Sequence, residues 1–465
     1  MEETLLKIAQ TINTYLSNYL LVAMLLGVGI WYTFKTKFIQ VRCFGEAWHN
    51  VFGNLSLHGG KQDSGMSSFQ ALATAIAAQV GTGNIVGSAG AIMIGGPGAI
   101  FWMWLIAFFG MATIYAEATL AIKTRIKDEE TGEILGGPVY YITKAFPGGL
   151  GKFLAAFFAI CITLALGFMG SMAQANSIGE SMHTAFNIPG WIVGIVLTAI
   201  CAFIFIGGTQ RLAAVVEKLI PVMAAIFLLG GLLVLIIRIK YLPSAIGMIF
   251  KYAFQPQAIL GGGFGAAIVA AVSQGAKRGL FSNEAGMGST PHAHAQANVK
   301  HPHDQGTVAM MGVFLDTFVV LTLNALVIIS CLYVEGGPLH EVGVACTNPG
   351  IYSKTNLAQY AFGVAFGEKF GPAFVAVCLF FFAFSTILGW NMFGKINMNY
   401  LFGHVGVKIY TLIALALIFL GTMTGNDVIW EWTDVFNNLM VIPNVLALFA
   451  LTKLVTGSIK EKNLL

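Results

Sequence analysis

The sequence predicts an all-α polytopic membrane protein of about 11 transmembrane helices: a 5+5 inverted repeat preceded by one extra N-terminal helix. Three observations lead there. Of 465 residues, 57% are hydrophobic and only 10% charged, whereas a soluble domain is about 25% charged. The apolar residues gather in runs of helical length, not in the alternating stretches of about ten residues that barrel strands require. The two most glycine-interrupted runs each open a block of five spans. This much apolar surface cannot be hidden in one soluble core, so the chain belongs in a bilayer.

In chain order the spans are expected near 16–34, 68–94, 98–122, 151–180, 188–208, 217–238, 262–290, 306–333, 358–390, 404–422 and 429–454. Polar punctuation such as KTKFIQVR and HAHAQANVKHPHDQG separates them. The first apolar run, Tyr19 to Phe34, has full span length and no small-residue cleavage site behind it, so it reads as a span and not a leader. Residues 1–64 then hold the extra helix and a cytoplasmic linker, and 65–242 the first repeat (spans two to six). Residues 243–261 form an interfacial amphipathic helix and loop, 262–455 the second repeat (spans seven to eleven), and 456–465 a cytoplasmic tail.

Orientation follows from the basic residues, which favour the cytoplasmic side. With the N-terminus outside and the C-terminus inside, 19 of the 25 Lys and Arg fall on the inner side, Lys277 and Arg278 among them. Lys7, Arg238, Lys240, Lys251, Lys354 and Lys369 remain outside. The expected location is the cell membrane, with membrane lipid as the surround. The net charge of +4 reflects helix ends and gives no indication of nucleic acid. The six cysteines show no CxxC; most act as small apolar residues within spans. Cys331 and Cys346 are the pair that an outer location would allow to join.

The interrupted spans carry the functional signal. Span two reads QVGTGN at its midpoint, and span seven carries Ser273, Gln274 and Gly275, with Lys277 and Arg278 following at depth. Gly83 and Gly87 have the spacing of a small-residue packing face. Packing alone leaves Gln79 and Asn84 unexplained, because polar side chains at mid-membrane depth are costly without a partner. Glycine-broken segments at matching positions of two halves mark a transporter's binding site. An unwound helix offers N–H groups to an anion and carbonyls to a cation without any charged side chain. No Asp or Glu lies at the middle of either span, which suits a zwitterion better than a bare amine.

Beyond this point the residues support a resemblance. GTGNIVGSAGAI, GGPGAIFWMW, LGGPVYYI and above all GAKRGLFSNEAGMGS resemble the alanine/glycine:cation symporter family, over roughly residues 65 to 455. That family is similar to the leucine-transporter fold, in which a rocking bundle moves against a scaffold around a central amino-acid site. The resemblance implies import of a small neutral amino acid coupled to Na+, or to a proton, with no other cofactor. VGTGN resembles the first unwound helix of that fold, which puts the substrate carboxylate on the N–H groups of Thr82 and Gly83. The ammonium is then expected at the span-seven break, near Val272, Ser273 and Gly275. Gln174 in span four is the candidate side chain for carboxylate or amine. One Na+ site would use the carbonyls of Ala77 and Val80 with the hydroxyls of Ser385 and Thr386. A second would use the Gln79 carbonyl, the Asn84 side chain and Ser273. Hard cations prefer such oxygen sets.

Apolar walls should set substrate size. Trp390, one turn after Thr386, is the first candidate, with Phe264 and Ile268 on the early part of span seven. Glu117, Glu284, Lys277, Arg278 and Asp316 are candidates for gate ion pairs or a proton route, Glu284 being expected near the cytoplasmic end with a basic partner. His292, His294, His301 and His303 lack metal-ligand spacing and read as solvated loop residues. No HExxH or GxSxG occurs, so an intramembrane enzyme is disfavoured. A channel suits two broken helices less well than a transporter with an occluded ligand. Oligomeric state, and the choice between alanine and glycine, have no signature in the chain.

Overall fold

The computed structural model describes residues 2–53, 66–127, 134–254, 264–340, 352–424, 426–462 and 464. Helix α1 (Glu3–Lys35) leads through short turns at Ile39–Arg42 and Phe44–Trp48. There follow α2 (Ser68–Gln79), α3 (Gly83–Gly95) and α4 (Ala99–Thr124). A small antiparallel ribbon pairs β1 (Ile126–Lys127) with β2 (Ile134–Leu135), Ile126 opposite Leu135. Next come α5 (Pro138–Ala145), α6 (Gly149–Phe186), α7 (Gly190–Ile206), α8 (Gly208–Ile237) and α9 (Leu242–Phe254). The second half holds α10 (Phe264–Asn283), α11 (Pro291–His294), α12 (Pro302–Tyr333) and α13 (Leu357–Phe366). It ends with α14 (Phe370–Gly421), α15 (Asn426–Ala450) and α16 (Thr452–Glu461).

Among the described residues, seven helices are long and apolar enough to cross a membrane. Their outward faces are apolar: Leu229, Ile236 and Leu412 are all exposed, as are Phe203 and Ile206 on the shorter α7, in the manner of lipid-facing side chains. By contrast α2 and α3 are buried almost throughout. A capping box starts α2: the Ser67 hydroxyl accepts from the Gln70 N–H, and the Gln70 amide accepts from the Ser67 N–H. This satisfies backbone donors that a helix start leaves free.

Two boundaries differ from expectation. Residues 358–390 are not one span: α13 ends at Phe366, and Gly367 (φ +88) turns the chain before α14 begins at Phe370. Only glycine holds that left-handed backbone without strain. α14 is likewise two helical arms, bent at Gly403 (φ 64, ψ −161). The anticipated helix after span six is α9. The Cys331–Cys346 pairing lies outside the described residues, because Cys346 does.

Candidate functional site

The first interruption is built by side chains that divert backbone donors. In a continuous helix the N–H groups of Gly81 and Thr82 would bond to the carbonyls of Ala77 and Ala78. Here the Gly81 N–H donates to Asn84 Oδ1 at 3.0 Å, and the Thr82 N–H to Gln174 Oε1 at 3.2 Å. Val80 leaves the helix at φ −79, ψ 88. Freed of its helical donor, the Ala77 carbonyl accepts from Thr386 Oγ1 at 2.9 Å and lies 3.4 Å from Ser385 Oγ. Both hydroxyls also reach the Phe382 carbonyl, the back-bonding usual for Ser and Thr in membrane helices. A Cβ on Gly81 would stand 2.2 Å from Thr386 Oγ1 and 3.3 Å from Gln174 Oε1. Gly389 of α14 lies so close to Ala78 that its own Cβ would sit 3.1 Å from the Ala78 N and Cβ. Of the first expected ion set, Ala77, Ser385 and Thr386 therefore meet at one point, and Val80 stands at the helix end three residues on.

The second interruption is displaced from its expected place. Ser273 and Gly275 lie inside α10, which runs unbroken to Asn283. At 1.5 Å rise per residue they stand about 15 and 12 Å from its end. Gly275 packs on α4, where a Cβ would be 2.5 Å from Trp102 Cβ. The break occupies residues 284–290, with Glu284 (φ 58), Gly286 (φ 89) and Gly288 (φ 81) in left-handed conformations; α11 then restarts at Pro291. Ile268, about 22 Å from this break along the helix, is half-exposed and too remote to wall the same space. The Phe264 side chain lies outside the described residues. Ser273, Gly275, Ile268 and the anticipated Val272 carbonyl are thus removed from the central site by one cause: the glycines that break the helix come later than Gly275.

The two breaks are tied together. Gln79 Nε2 donates to the Asn283 carbonyl at 2.7 Å. Gly83 lets α3 approach α10: a Cβ there would lie 2.8 Å from Ser282 Cα. The small-residue packing and the interruption are therefore both real at Gly83.

Beside Asn84 sits a carboxylate whose role the sequence leaves open. Asp316 Oδ1 accepts from Asn84 Nδ2 at 2.6 Å, and its oxygens accept from the Ser282 and Thr317 hydroxyls at 2.8–3.0 Å. It is fully buried, and among the described residues no Lys, Arg or His pairs with it. Asn324 Nδ2 donates to the carbonyls of Asn84 and Ile85, fixing α3 from the side of α12. Three buried polar atoms around the first break have no partner among the described residues: Gln79 Oε1, Thr82 Oγ1 and Gln174 Nε2. Unsatisfied groups at such depth call for a ligand or a partner that arrives later.

Glu117 and Glu284 do not form the ion pairs anticipated for them. Glu117 accepts the N–H groups of Gly286 and Gly288, each at 3.0 Å, and Asn444 Nδ2 at 2.7 Å. It therefore shapes the second break from α4. Glu284 accepts from Trp390 Nε1 at 2.6 Å and from the Ser289 hydroxyl. Trp390 is 1% exposed and lies edge-on to Phe281, with ring centroids 5.6 Å apart.

Lys277 and Arg278 also move. Lys277 Nζ is 2.7 Å from Asp434 Oδ2, and Arg278 grips both Asp434 oxygens at 3.3 and 3.0 Å. Arg278 and Lys354 lie over the same Trp430 ring, each 5.1 Å from its centroid. The pair therefore lies beside Lys354, which the expected orientation puts on the opposite side of the membrane from Lys277 and Arg278. Three of the four histidines are not solvated: His292, His294 and His303 are buried, whereas His301 is partly exposed. His292 Nδ1 meets the Ser289 carbonyl at 2.6 Å, and Nε2 meets Asn397 Nδ2 at 2.9 Å. A neutral ring, protonated on Nδ1, satisfies both.

Two helices interrupted inside an apolar bundle, with carbonyls, hydroxyls and a carboxylate that has no basic partner among the described residues, define a transporter-type integral membrane protein. Comparison with known proteins makes this specific. The sequence model of the sodium:alanine symporter family matches residues 2–463, and the chain belongs to that family. It is 40% identical over 460 residues to an uncharacterized transporter of Haemophilus influenzae, covering 98% of this chain and 96% of that one. It is 38% identical over 458 residues to the sodium/alanine symporter AgcS of Methanococcus maripaludis, covering 98% and 97%. In fold it is similar to the manganese transporter of Eremococcus coleocola, with a TM-score of 0.51 at 13% identity, over 83% of this chain and 76% of that one.

Proposed function

We propose that this chain is a secondary active transporter that imports a small neutral amino acid, alanine or glycine, coupled to Na+ by alternating access. One observation carries the reading. In a member of the sodium:alanine symporter family, the Ala77 carbonyl freed by the helix break meets the Thr386 and Ser385 hydroxyls of α14. Such an oxygen cluster suits a hard cation. With the Val80 carbonyl it forms the first Na+ site.

The second Na+ site takes Asn84 and the Gln79 carbonyl, with Asp316, Ser282 and Thr317 in place of Ser273. The substrate carboxylate is received by the Thr82 and Gly83 N–H groups and by Gln174. In the present structure Gln174 Oε1 holds the Thr82 N–H, as a carboxylate oxygen would, and its Nε2 has no partner among the described residues. Substrate then takes over that N–H and accepts from the amide. The ammonium faces carbonyls of the 284–290 break, and Trp390 and Phe281 wall the space.

The accompanying architecture is eleven spans in a 5+5 inverted repeat, with the extra helix first. The N-terminus lies outside, the C-terminus in the cytoplasm, and the repeat boundaries follow 65–242 and 262–455. A proton-coupled variant has one observation in its favour: a proton can neutralise the buried, unpaired Asp316 as Na+ can. Uptake of labelled alanine into proteoliposomes separates the readings. A sodium gradient should drive accumulation and a proton gradient alone should not; uptake indifferent to both gradients would remove symport.

A further inference from the structure

We propose that Glu284 is a positioning residue for substrate size: through its bond to Trp390 it holds the indole as a fixed wall of the amino-acid site. The inference rests on the proposed amino-acid site between the two breaks. Glu284 occupies a left-handed conformation, φ 58, that glycine or asparagine would adopt at less cost. A side chain kept there against that strain has work to do. Both of its oxygens are engaged, Oε1 by the indole N–H at 2.6 Å and Oε2 by the Ser289 hydroxyl.

The carboxylate is itself anchored. Ser289 lies on the same loop, whose course Glu117 fixes through the N–H groups of Gly286 and Gly288. The indole is confined on its other sides. Gly170 of α6 leaves it room, a Cβ there standing 2.6 Å from Trp390 Cζ3, and Phe281 meets its face edge-on. Gly170 is one turn before Gln174, and Trp390 one turn after Thr386; these are the two side chains nearest Gly81. The ring is therefore placed beside the partnerless Gln174 and Thr82 groups.

An indole has two side-chain torsions, and the second is broad. Held only by packing, it can turn and enlarge the space; bonded to Glu284, it cannot. One methylene in an apolar pocket is discriminated by roughly 10- to 200-fold, and only a wall that stays in place achieves this.

The test measures kcat/KM for glycine, alanine and valine in proteoliposomes, for wild type, Glu284→Ala, Glu284→Gln, Trp390→Phe and the double variant Glu284→Ala/Trp390→Phe. Glutamine keeps an oxygen for the indole N–H, so Glu284→Gln should retain the wild-type preference. Glu284→Ala should raise the valine-to-alanine ratio about tenfold or more. Trp390→Phe should raise it similarly, and the double variant should add nothing further. A uniform loss for all substrates with the ratio unchanged would overturn the proposal, as would Glu284→Gln behaving like Glu284→Ala. If Glu284→Ala does not fold, Trp390→Phe decides, and an unchanged ratio refutes. A wild type that takes up no alanine removes the transport reading itself, whereas alanine uptake with unaltered ratios removes only this inference.

Discussion

Gly81→Ala is the most direct probe of the proposed first ion site, because the structure states what the added methyl would strike. Its Cβ would stand 2.2 Å from Thr386 Oγ1 and 3.1 Å from Thr386 Cβ. The overlap with the hydroxyl is more than about 1 Å, so Thr386 must rotate or α14 must withdraw from the break. Overpacking of this size costs about 1–3 kcal/mol, and an off-rotamer threonine about 0.5–1.5 kcal/mol. Either movement takes the hydroxyl from the Ala77 carbonyl, so the cost falls mainly on the ion-binding state. At 1.4 kcal/mol per factor of ten, half-saturating Na+ should rise on the order of 10- to 100-fold.

The assay is a sodium titration of labelled-alanine binding, paired with melting temperature in detergent. Thr386→Ala alone should weaken sodium binding without lowering stability much. Combined with Gly81→Ala it should recover most of the melting temperature, since the 2.2 Å clash with the hydroxyl is gone and only the 3.1 Å approach to the Cβ remains, but not the sodium affinity. Wild-type sodium dependence in Gly81→Ala would refute the assignment of Thr386 to the ion.

Three further outcomes follow from the same geometry. Asp316→Asn keeps the side chain's shape and removes its charge, so sodium should bind at least about tenfold more weakly, the scale of one lost charge-assisted contact; an unchanged titration would exclude the carboxylate from the site. Glu117→Ala strands the N–H groups of Gly286 and Gly288 and the Asn444 amide, and should cost about 3 kcal/mol, read as a lowered melting temperature. A melt within error of wild type would mean that the loop does not depend on Glu117. His292→Phe takes an acceptor from the Asn397 amide and a donor from the Ser289 carbonyl, and should cost about 1–3 kcal/mol, read as a lowered melting temperature; an unchanged melt would mean that the ring is not needed there.

The legible parts of this chain were those whose signal is local. QVGTGN announced the first break because two glycines and three polar residues interrupt an apolar run, and the structure interrupts the helix there. The second break went astray because Ser273, Gln274 and Gly275 look equally disruptive, yet a helix carries a buried serine and a packing glycine without unwinding. The decisive pattern stood a few residues later: Gly286 and Gly288, both at positive φ, with Pro291 restarting the helix. Alternate glycines ahead of a proline were the available clue. Span nine was drawn too long because Gly367 sits among aromatic residues that read as continuous span. Asp316 resisted because its meaning depends on Asn84 and Ser282, remote in sequence and adjacent only in the fold. The ionic pairing of Arg278 with Asp434 is of the same kind, since it joins residues 156 positions apart.

The bond from Gln79 to the Asn283 carbonyl has a consequence for faithfulness of exchange. It yokes the end of one interrupted helix to the end of the other, so in the proposed mechanism an ion settling beside Asn84 would tighten both gaps together. A yoked pair would resist slippage, since neither gap could relax without the other. The strictness of the coupling would then depend on the neutral side-chain amide of Gln79, a group that carries no charge of its own.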